Sequence, residues 1–378
     1  MKRRYLLTPG PSQVPSFVRE ALGREMMHHR TEEFREILKA SGEGLKDIFC
    51  TKNPVLTLTA SGTGAMEAAV TNLVNKGEKI IVLRGGKFSE RWAEIAKAWS
   101  IETINMDVVW GTSPDPVELD KLLTANKGVK AVFTTLCETS TATVFDIKVL
   151  AQVTRKHDVM IAVDAISGLG QDLLLTDEWG VDCVVSGSQK GLMLPPGLAF
   201  ISLSAKAQAA ALAANQPTFY FSLKKALKNY EKSDTAFTPA VSLIVGLKDA
   251  VNAIKEEGVM ARFTKFAKMA HATREAGKAI GLTVYSKRPS DSVTAFNTPE
   301  GMKAKEIIKK MRKDYGVSIA AGQGEELEEK IIRIAHMGWV NEQDLVMCFS
   351  LLEKVLKDMG YKLKIGAAVA RFQEVIYG

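Results

Sequence analysis

The sequence VVSGSQKGLMLPPG, residues 184–197, decides the fold of this chain. An apolar run at 181–185 predicts a buried strand that ends just before Lys190. The turn Pro-Pro-Gly at 195–197 separates this strand from a second apolar run at 198–203. Lys190 therefore lies at a strand end. It is either a solvated loop residue or a partly desolvated amine whose lowered pKa suits it to attack a carbonyl carbon.

The bulk composition indicates a globular protein that does not bind nucleic acid. A length of 378 residues predicts two domains, or one large α/β unit with a smaller appendage. The hydrophobic content of 46% and charged content of 25% are ordinary for a soluble protein. The net charge of +7 comes from dispersed side chains, and the densest basic run, 224–232, has the spacing of a solvated helix face. We therefore expect no nucleic-acid partner.

The cysteine spacing and the N-terminal segment predict a cytoplasmic protein, and the histidine spacing predicts no metal site. The cysteines lack CxxC spacing, which predicts buried thiols in a reducing compartment: Cys50, Cys137, Cys183 and Cys348. His28 and His29 are adjacent but have no third ligand at metal-binding spacing, so we expect a loop at an interface or pocket rim. Pro9 and Gly10 interrupt the chain before a signal-peptide core can form, and no membrane span is predicted.

Strands and helices alternate along the first two thirds of the chain. Apolar runs predict further strands at 54–60, 79–83, 101–106, 129–136 and 159–164. Helical spacing follows most of them, as at 65–74 and 148–157. Such alternation predicts an α/β fold with a mostly parallel sheet that is covered by helices on both faces. After residue 239, helices and short strands predict a small α+β domain. We expect an arm at 1–16, a large domain at 17–256 and a small domain at 257–378.

Polar residues follow several of the predicted strands. The turn 61–64, Ser-Gly-Thr-Gly, opens a helix, and free amides at a helix N-terminus can hold a phosphate. The turn lacks the lysine of a P-loop and the third glycine and acid of a dinucleotide fingerprint. Asp164 ends an apolar strand, so its carboxylate needs a cationic or donor partner. Ile166, two residues on, would face the same way on an extended chain and offer a platform for a flat ring with a protonated nitrogen.

Taken in order, seven motifs resemble the class V pyridoxal-phosphate-dependent aminotransferases, in the alanine–glyoxylate and serine–pyruvate or serine–glyoxylate branch. The motifs are TPGP at 8–11, SGTGAMEA at 61–68, ETST at 138–141, VD at 163–164, SGSQK at 186–190, PPG at 195–197 and KIIRI at 330–334. The resemblance covers essentially the whole chain. It implies the fold type I architecture of these enzymes, a large domain with a mostly parallel sheet between helices and a smaller α+β C-terminal domain.

The resemblance also implies roles for the residues that surround the cofactor's ring. Lys190 would form the Schiff base with pyridoxal 5'-phosphate and then shuttle a proton. Asp164 would keep the pyridine nitrogen protonated, and Ile166 would support the ring from below. Phe88 lies where relatives carry a stacking aromatic, often tryptophan. Thr139 matches the position that contacts the phenolic oxygen.

The resemblance assigns further residues to the phosphate and the substrate. Ser61, Gly62 and Thr63 would bind the phosphate, and the side chain of Gln189 would add a donor. The residues left for the substrate and for a second subunit are Arg333, Pro9, Gly10, Thr235 and Thr238. Arg333 would clamp the substrate α-carboxylate instead of forming an internal ion pair. Pro9 and Gly10 would lie on the substrate side. The two threonines would complete the phosphate site of a partner chain, which implies a homodimer with shared active sites.

The function implied is a ping-pong transamination between alanine or serine and glyoxylate or pyruvate. Aspartate or 2-aminoethylphosphonate transamination is the alternative on close relatives of the fold. A cysteine desulfurase would place histidine before the lysine and carry a reactive cysteine on a mobile loop, whereas Gln189 precedes Lys190 and Cys348 lies in an apolar-periodic helix. A noncatalytic scaffold would have no need of Lys190, Asp164 and Arg333 together.

Overall fold

A seven-stranded sheet runs through the larger part of the protein in the computed structural model, which describes residues 4–378. In chain order the strands of the described residues are β1 (Tyr5–Leu6), β2 (Val55–Ala60), β3 (Lys79–Arg84), β4 (Glu102–Asp107), β5 (Val129–Thr135), β6 (Cys137–Glu138), β7 (Thr143–Val144), β8 (Met160–Asp164), β9 (Cys183–Gly187), β10 (Gly197–Leu203), β11 (Val293–Asn297), β12 (Val317–Ser318), β13 (Ala320–Ala321) and β14 (Ile331–Ala335).

Helices lie between most of these strands. They are α1 (Ser16–Leu22), α2 (Glu32–Phe49), α3 (Gly62–Leu73), α4 (Lys87–Ala98), α5 (Pro116–Ala125), α6 (Ile147–Lys156), α7 (Thr176–Trp179), α8 (Ala205–Ala213), α9 (Leu223–Tyr230), α10 (Val241–Glu257), α11 (Val259–Ala279), α12 (Ala304–Tyr315), α13 (Glu342–Asp358) and α14 (Ala367–Tyr377). Among the helices of residues 4–378, none has both the length and the apolar composition that a bilayer span requires.

The order of the large sheet is β2-β10-β9-β8-β5-β3-β4. Four neighbouring pairs, from β9 to β4, are parallel, and β10 runs antiparallel to both of its neighbours. The prediction of a mostly parallel sheet is therefore confirmed. Because β2, β3, β5, β8 and β9 all point the same way, the polar residues that follow them meet at one edge.

Helices cover both faces of this sheet, because alternate strand residues face opposite cores. In β8, Ile161 and Val163 join one apolar cluster, whereas Met160 and Ala162 join the other. The first cluster is completed by residues of α2, α6 and α10, and the second by residues of α3, α4 and α9. The sheet is thus buried on both faces, and polar side chains can cluster at the carboxyl ends of its parallel strands.

The C-terminal part forms a separate apolar cluster around the antiparallel sheet β11-β14-β13. Phe266 of α11, Phe349 of α13 and Phe372 of α14 are buried in it. Helix α10 packs on α1 and α2, whereas α11 packs on α14. On this packing we propose that the small domain begins between α10 and α11, as expected from the sequence.

The small domain differs from the sequence prediction at two places. The sequence predicts one strand at 317–320, but the structure has two, because β12 pairs with β1 while β13 pairs with β14. Helix α14 has no counterpart among the predicted elements, and it packs along α11, about a hundred residues earlier in the chain. The partners of β12 and α14 are both remote in sequence, which explains why local patterns do not predict these elements.

The N-terminal arm touches both parts of the protein. Leu7 is fully buried in the small-domain cluster, and its carbonyl accepts a hydrogen bond from Ala335 N at 2.8 Å. A few residues later, Ser12 N donates to Gln189 O at 2.9 Å, and Ser12 Oγ donates to Lys190 O at 2.8 Å. The arm therefore connects the small sheet to the loop that carries Lys190.

Candidate active site

Lys190 lies in the loop after β9 and is 9% exposed. Burial lowers the pKa of its amine to about 8, although the charge of Asp164 opposes this shift. Its Nζ donates to the carbonyl of Pro9 in the N-terminal arm. Gly10 follows with φ of +105°, and a side chain there would collide with the Lys190 side chain. Lys190 is therefore a desolvated amine and not a solvated loop residue.

Asp164 ends β8 and is 4% exposed. Its Oδ1 accepts one hydrogen bond, from Ile166 N at 2.8 Å, and no salt bridge reaches it within residues 4–378. Burial raises the pKa of the carboxyl to about 7, while the nearby charges of Arg91 and Lys190 lower it. A buried acid without a cation on it is suited to hold a ligand's protonated nitrogen.

Ile166 is not part of the strand, so the extended-chain argument for its orientation is wrong. The strand ends at Asp164 because its carboxylate accepts from Ile166 N and starts a turn. The turn brings Ile166 against the start of α3, where a Cβ on Gly62 would lie 2.5 Å from Ile166 Cδ1. Glycine at 62 is what lets the turn and the helix approach so closely.

The start of α3 leaves amides free at the same edge. Ser61 is the N-cap, but its side chain makes no capping hydrogen bond. Thr63 Oγ1 accepts from Arg91 Nη1 at 3.2 Å. Gln189 Oε1 is buried without a hydrogen-bond partner in the described residues, and a Cβ on Gly187 would lie 3.1 Å from it and 3.3 Å from Gly62 N. Free amides, a hydroxyl and the side chain of Gln189 therefore lie near the start of α3.

Phe88 and Thr139 bring two more predicted residues to this edge. Phe88 is in the first turn of α4, and its ring lies 5.2 Å from the guanidinium of Arg91. Thr139 follows β6 and is 2% exposed, with its Oγ1 donating to Ser167 Oγ at 2.6 Å. Arg91 and Ser167 were not among the predicted site residues. For Arg91 the signal was its spacing of three from Phe88 on a helix, whereas Ser167 depends on the turn after β8.

Arg333 is a buried arginine on β14 that lacks a carboxylate partner. It is 3% exposed, and within residues 4–378 no salt bridge engages it. Its Nε donates to Ala321 O at 2.7 Å and its Nη1 to Thr139 O at 2.6 Å. Burial lowers the pKa of its guanidinium to about 10, and the charge of Glu138 opposes the shift. Two carbonyls thus hold the guanidinium, and its Nη2 has no hydrogen-bond partner in this part of the chain.

Thr235 and Thr238 lie away from Lys190 in a single chain. Together with residues of β2 and the side chains of Tyr220 and Tyr230, their segment lines a cavity of about 260 Å³. Arg30 fixes the segment through an ion pair with Asp234 and a hydrogen bond to Thr235 O at 3.1 Å. One chain therefore does not bring these threonines to its own Lys190.

Cysteine and histidine do not add to the candidate site. Cys348 is fully buried in α13, and burial raises the pKa of its thiol to about 12. Cys50 is only partly buried, at the end of α2, so the expectation of a buried thiol is wrong there. Within residues 4–378, no three His, Cys, Asp or Glu side chains are arranged to hold a metal ion.

Pyridoxal phosphate, the cofactor that the resemblance implies, fits this donor set. Asp164 offers a buried acid without a cation, and the start of α3 has uncapped amides that can donate to a phosphate. Lys190 supplies a buried amine with a lowered pKa. The residues present thus match a ring nitrogen, a phosphate and an aldehyde.

Comparison with known proteins identifies similar chains along the whole length. The family model described as aminotransferase class-V matches residues 4–338. The small subunit of a soluble hydrogenase from Synechococcus sp. (strain PCC 6716) is 39% identical, with coverage of 99% of this chain and 98% of that protein. The L-aspartate–glyoxylate aminotransferase of Paracoccus denitrificans (strain Pd 1222) is 33% identical, with coverage of 98% and 95%.

A solved structure has the same architecture. The ureidoglycine–glyoxylate aminotransferase of Bacillus subtilis superposes with a TM-score of 0.95 at 25% identity. The match covers 100% of this chain and 99% of that one. Both domains therefore have counterparts in that enzyme.

Proposed function

Because this chain belongs to the class V aminotransferase family, and is therefore a pyridoxal-phosphate-dependent transaminase, we propose that it transfers the amino group of L-alanine or L-serine to glyoxylate or pyruvate. The two half-reactions would follow one another at one site, in a ping-pong mechanism. The observation that carries the proposal is that Lys190, Asp164 and Arg333 are each buried, and that the charges of Asp164 and Arg333 both act on the Lys190 amine.

The small acceptor is supported by the relatives and by the charges at the site. Glyoxylate appears in the names of both the Paracoccus and the Bacillus enzymes, whereas their donors differ. Arg333 offers one guanidinium for one carboxylate. A second guanidinium at this edge, that of Arg91, is engaged by Thr63 and lies over Phe88, on the phosphate side. This distribution favours substrates with a single carboxylate, and aspartate is the alternative donor.

Each of three residues has one task in this proposal. Bound pyridoxal phosphate supplies an electron sink that lets the substrate α-carbon lose its proton. Lys190 Nζ, with its pKa lowered to about 8, accepts that proton and later returns it. Asp164 holds the proton on the pyridine nitrogen. Arg333 binds the α-carboxylate through its fork and so orients the α-carbon toward Lys190.

The phosphate would be held by the uncapped amides at Gly62 and Thr63, with Ser61 and Gln189 beside them. The cavity segment that contains Thr235 and Thr238 would complete this site in a partner chain, so we propose a homodimer. The exposure of Thr238 and of aromatic side chains around this segment supports the assignment. Pro9 and Gly10 would lie on the substrate side, since Lys190 contacts Pro9.

The visible spectrum of the protein loaded with pyridoxal phosphate tests the substrates. L-alanine or L-serine is expected to bleach the band of the lysine-bound cofactor, and glyoxylate or pyruvate is expected to restore it. Bleaching by L-aspartate or 2-aminoethylphosphonate alone would replace the proposed donor with the alternative one. Lys190→Ala is the matched control, because it removes the attachment point and leaves no borohydride-reducible bond to the cofactor.

A further inference from the structure

Glu138 is a buried acid that the proposed function leaves without a role. It is 0% exposed at the end of β6, and its carboxylate is surrounded by donors. Oε2 accepts from Ser89 N at 2.8 Å, from Ser89 Oγ at 2.9 Å and from Phe88 N at 3.2 Å. Oε1 accepts from Ser140 N at 3.1 Å and from Ser140 Oγ at 2.5 Å. Neutral donors therefore satisfy both oxygens.

The donors belong to the start of α4, which lacks a cap of its own. Its N-cap residue is Gly86, which has no side chain to accept from the first amides. Glu138 accepts from the amides of Phe88 and Ser89, and Ser140 Oγ accepts from Lys87 N at 3.2 Å. A carboxylate at a helix N-terminus also interacts favourably with the helix dipole. The segment after β5 thus supplies the cap of α4 from another part of the chain.

The same segment contacts the substrate side of the site. Thr139, the residue after Glu138, accepts the Arg333 Nη1 hydrogen bond with its carbonyl. The charge of Glu138 also opposes the effect of burial on Arg333. One carboxylate is therefore joined to Phe88 on the ring side and, through one peptide unit, to Arg333 on the carboxylate side.

We propose that Glu138 is a positioning residue that fixes the start of α4 against residues 137–140. It thereby sets Phe88 against the cofactor and the Thr139 carbonyl against Arg333. This inference rests on the proposed function, because it assigns Glu138 to the same site. Its effect on cofactor and substrate distinguishes it from an ordinary helix cap.

The test compares Glu138→Gln with a matched buried cap elsewhere. Glu353 is 1% exposed and accepts from Gly366 N at 2.7 Å and Ala368 N at 2.6 Å at the start of α14. Glutamine keeps the volume but turns an amide N–H₂ toward donors. We expect E138Q to raise the dissociation constant of pyridoxal phosphate, measured by tryptophan fluorescence of the apoprotein, about tenfold or more. KM for the amino donor should rise as well. E353Q should lower Tm and leave both constants at the wild-type values.

The outcomes separate this inference from the proposed function. Wild-type binding constants in E138Q, with a Tm loss like that of E353Q, would overturn the positioning role and leave the transaminase assignment intact. A wild-type protein that binds no pyridoxal phosphate would overturn the proposed function itself. If E138Q fails to fold, Ser89→Ala decides, because it keeps the charge and removes one donor. An unchanged cofactor dissociation constant in S89A would then count against the proposal.

Discussion

At the scale of single residues, the candidate site is a set of buried charges without ion-pair partners. Asp164 and Arg333 are each nearly inaccessible, and neither forms a salt bridge within residues 4–378. Burying such groups without a counter-charge destabilises a fold. A cofactor with a cationic ring nitrogen at Asp164 and a substrate carboxylate at Arg333 would together relieve both penalties.

Asp164 predicts a pH dependence for the stability of the apoprotein. Its folded-state pKa, about 7, lies above the ordinary value of 3.8, so the folded protein binds this proton more tightly than the unfolded chain. The associated stability is complete below pH 3.8 and is lost as the pH rises to about 7. The loss is a few kcal/mol at most, at about 1.4 kcal/mol per pKa unit.

The measurement is Tm of apoprotein against pH for the wild type and for Asp164→Asn. We expect the wild-type Tm to fall relative to the variant between pH 5 and pH 7 and to run parallel above pH 8. The buried Asp172, whose pKa burial also raises to about 7, is present in both proteins and so cancels. Curves that stay parallel from pH 5 to pH 7 would contradict the assignment.

We expect substitution of Arg333 to weaken substrate binding and to leave cofactor binding unchanged. In Arg333→Lys the charge remains but the two-pronged contact to a carboxylate does not. We expect kcat/KM to fall about 10- to 100-fold, with higher KM for both the amino acid and the oxo acid. Affinity for pyridoxal phosphate should stay unchanged. Arg274→Lys is the control, since Arg274 contacts Ser290 O and Asp291 instead; equal effects in both variants would return Arg333 to a structural role.

The sequence located Lys190 and Asp164 at strand ends because apolar runs mark where buried strands stop. It could not locate Glu138 as a cap, because the amides that it satisfies belong to a helix fifty residues away. It also missed the pairing of Thr139 with Ser167, which depends on the register of two neighbouring strands. Local patterns thus predicted where residues lie along strands, and tertiary contacts decided which residues meet.

At the scale of elements, strand direction explains why one edge carries the chemistry. Six strands of the large sheet end at this edge, and α3 and α4 both begin there with uncapped or externally capped amides. The alternation of strands and helices was sufficient to predict this arrangement. The division of β12 from β13 was not predictable, because β12 pairs with β1 near the start of the chain whereas β13 pairs with β14, which follows it.

We expect the stability of the small domain to depend on the packing of helix α14. Phe372 is fully buried between α14 and α13, where its ring centroid lies 6.3 Å from that of Phe349. Phe372→Ala should lower the free energy of unfolding of that domain by about 3–5 kcal/mol, because it leaves a cavity. Tyr377→Ala is the control on the same helix, since Tyr377 is 61% exposed. Urea unfolding of both variants measures the difference, and similar midpoints would mean that α14 contributes little.

At the scale of the whole molecule, an exposed aromatic surface predicts a second copy of the chain. Phe219 is 70% exposed, and Tyr220 stacks on Phe237 at 5.2 Å, beside the cavity that Thr235 lines. Large exposed apolar patches commonly mark interfaces. A two-fold contact at this surface would bury the aromatics and bring each threonine segment to the other chain.

Phe219→Asp tests that surface by sedimentation velocity. We expect the wild type to sediment as a dimer and the variant to shift toward monomer, because the interface would have to bury a charge. Its affinity for pyridoxal phosphate should fall about tenfold, or about 1.4 kcal/mol, because the partner's threonine segment is lost. Met260→Asp places the same charge on α11, where Met260 is 60% exposed, and should leave the dimer intact. A monomeric wild-type holoenzyme would contradict the shared site.

The N-terminal arm also sets the order in which the protein can mature during translation. Residues 5–12 are synthesised long before their partners. Tyr5 and Leu6 pair with β12, and Leu7 O accepts a hydrogen bond from Ala335 N. Tyr5 and Leu6 therefore have no strand partner until more than three hundred further codons have been read. A nascent chain that is stalled before β12 therefore contains Lys190 but lacks the strand that holds the start of the arm which covers it.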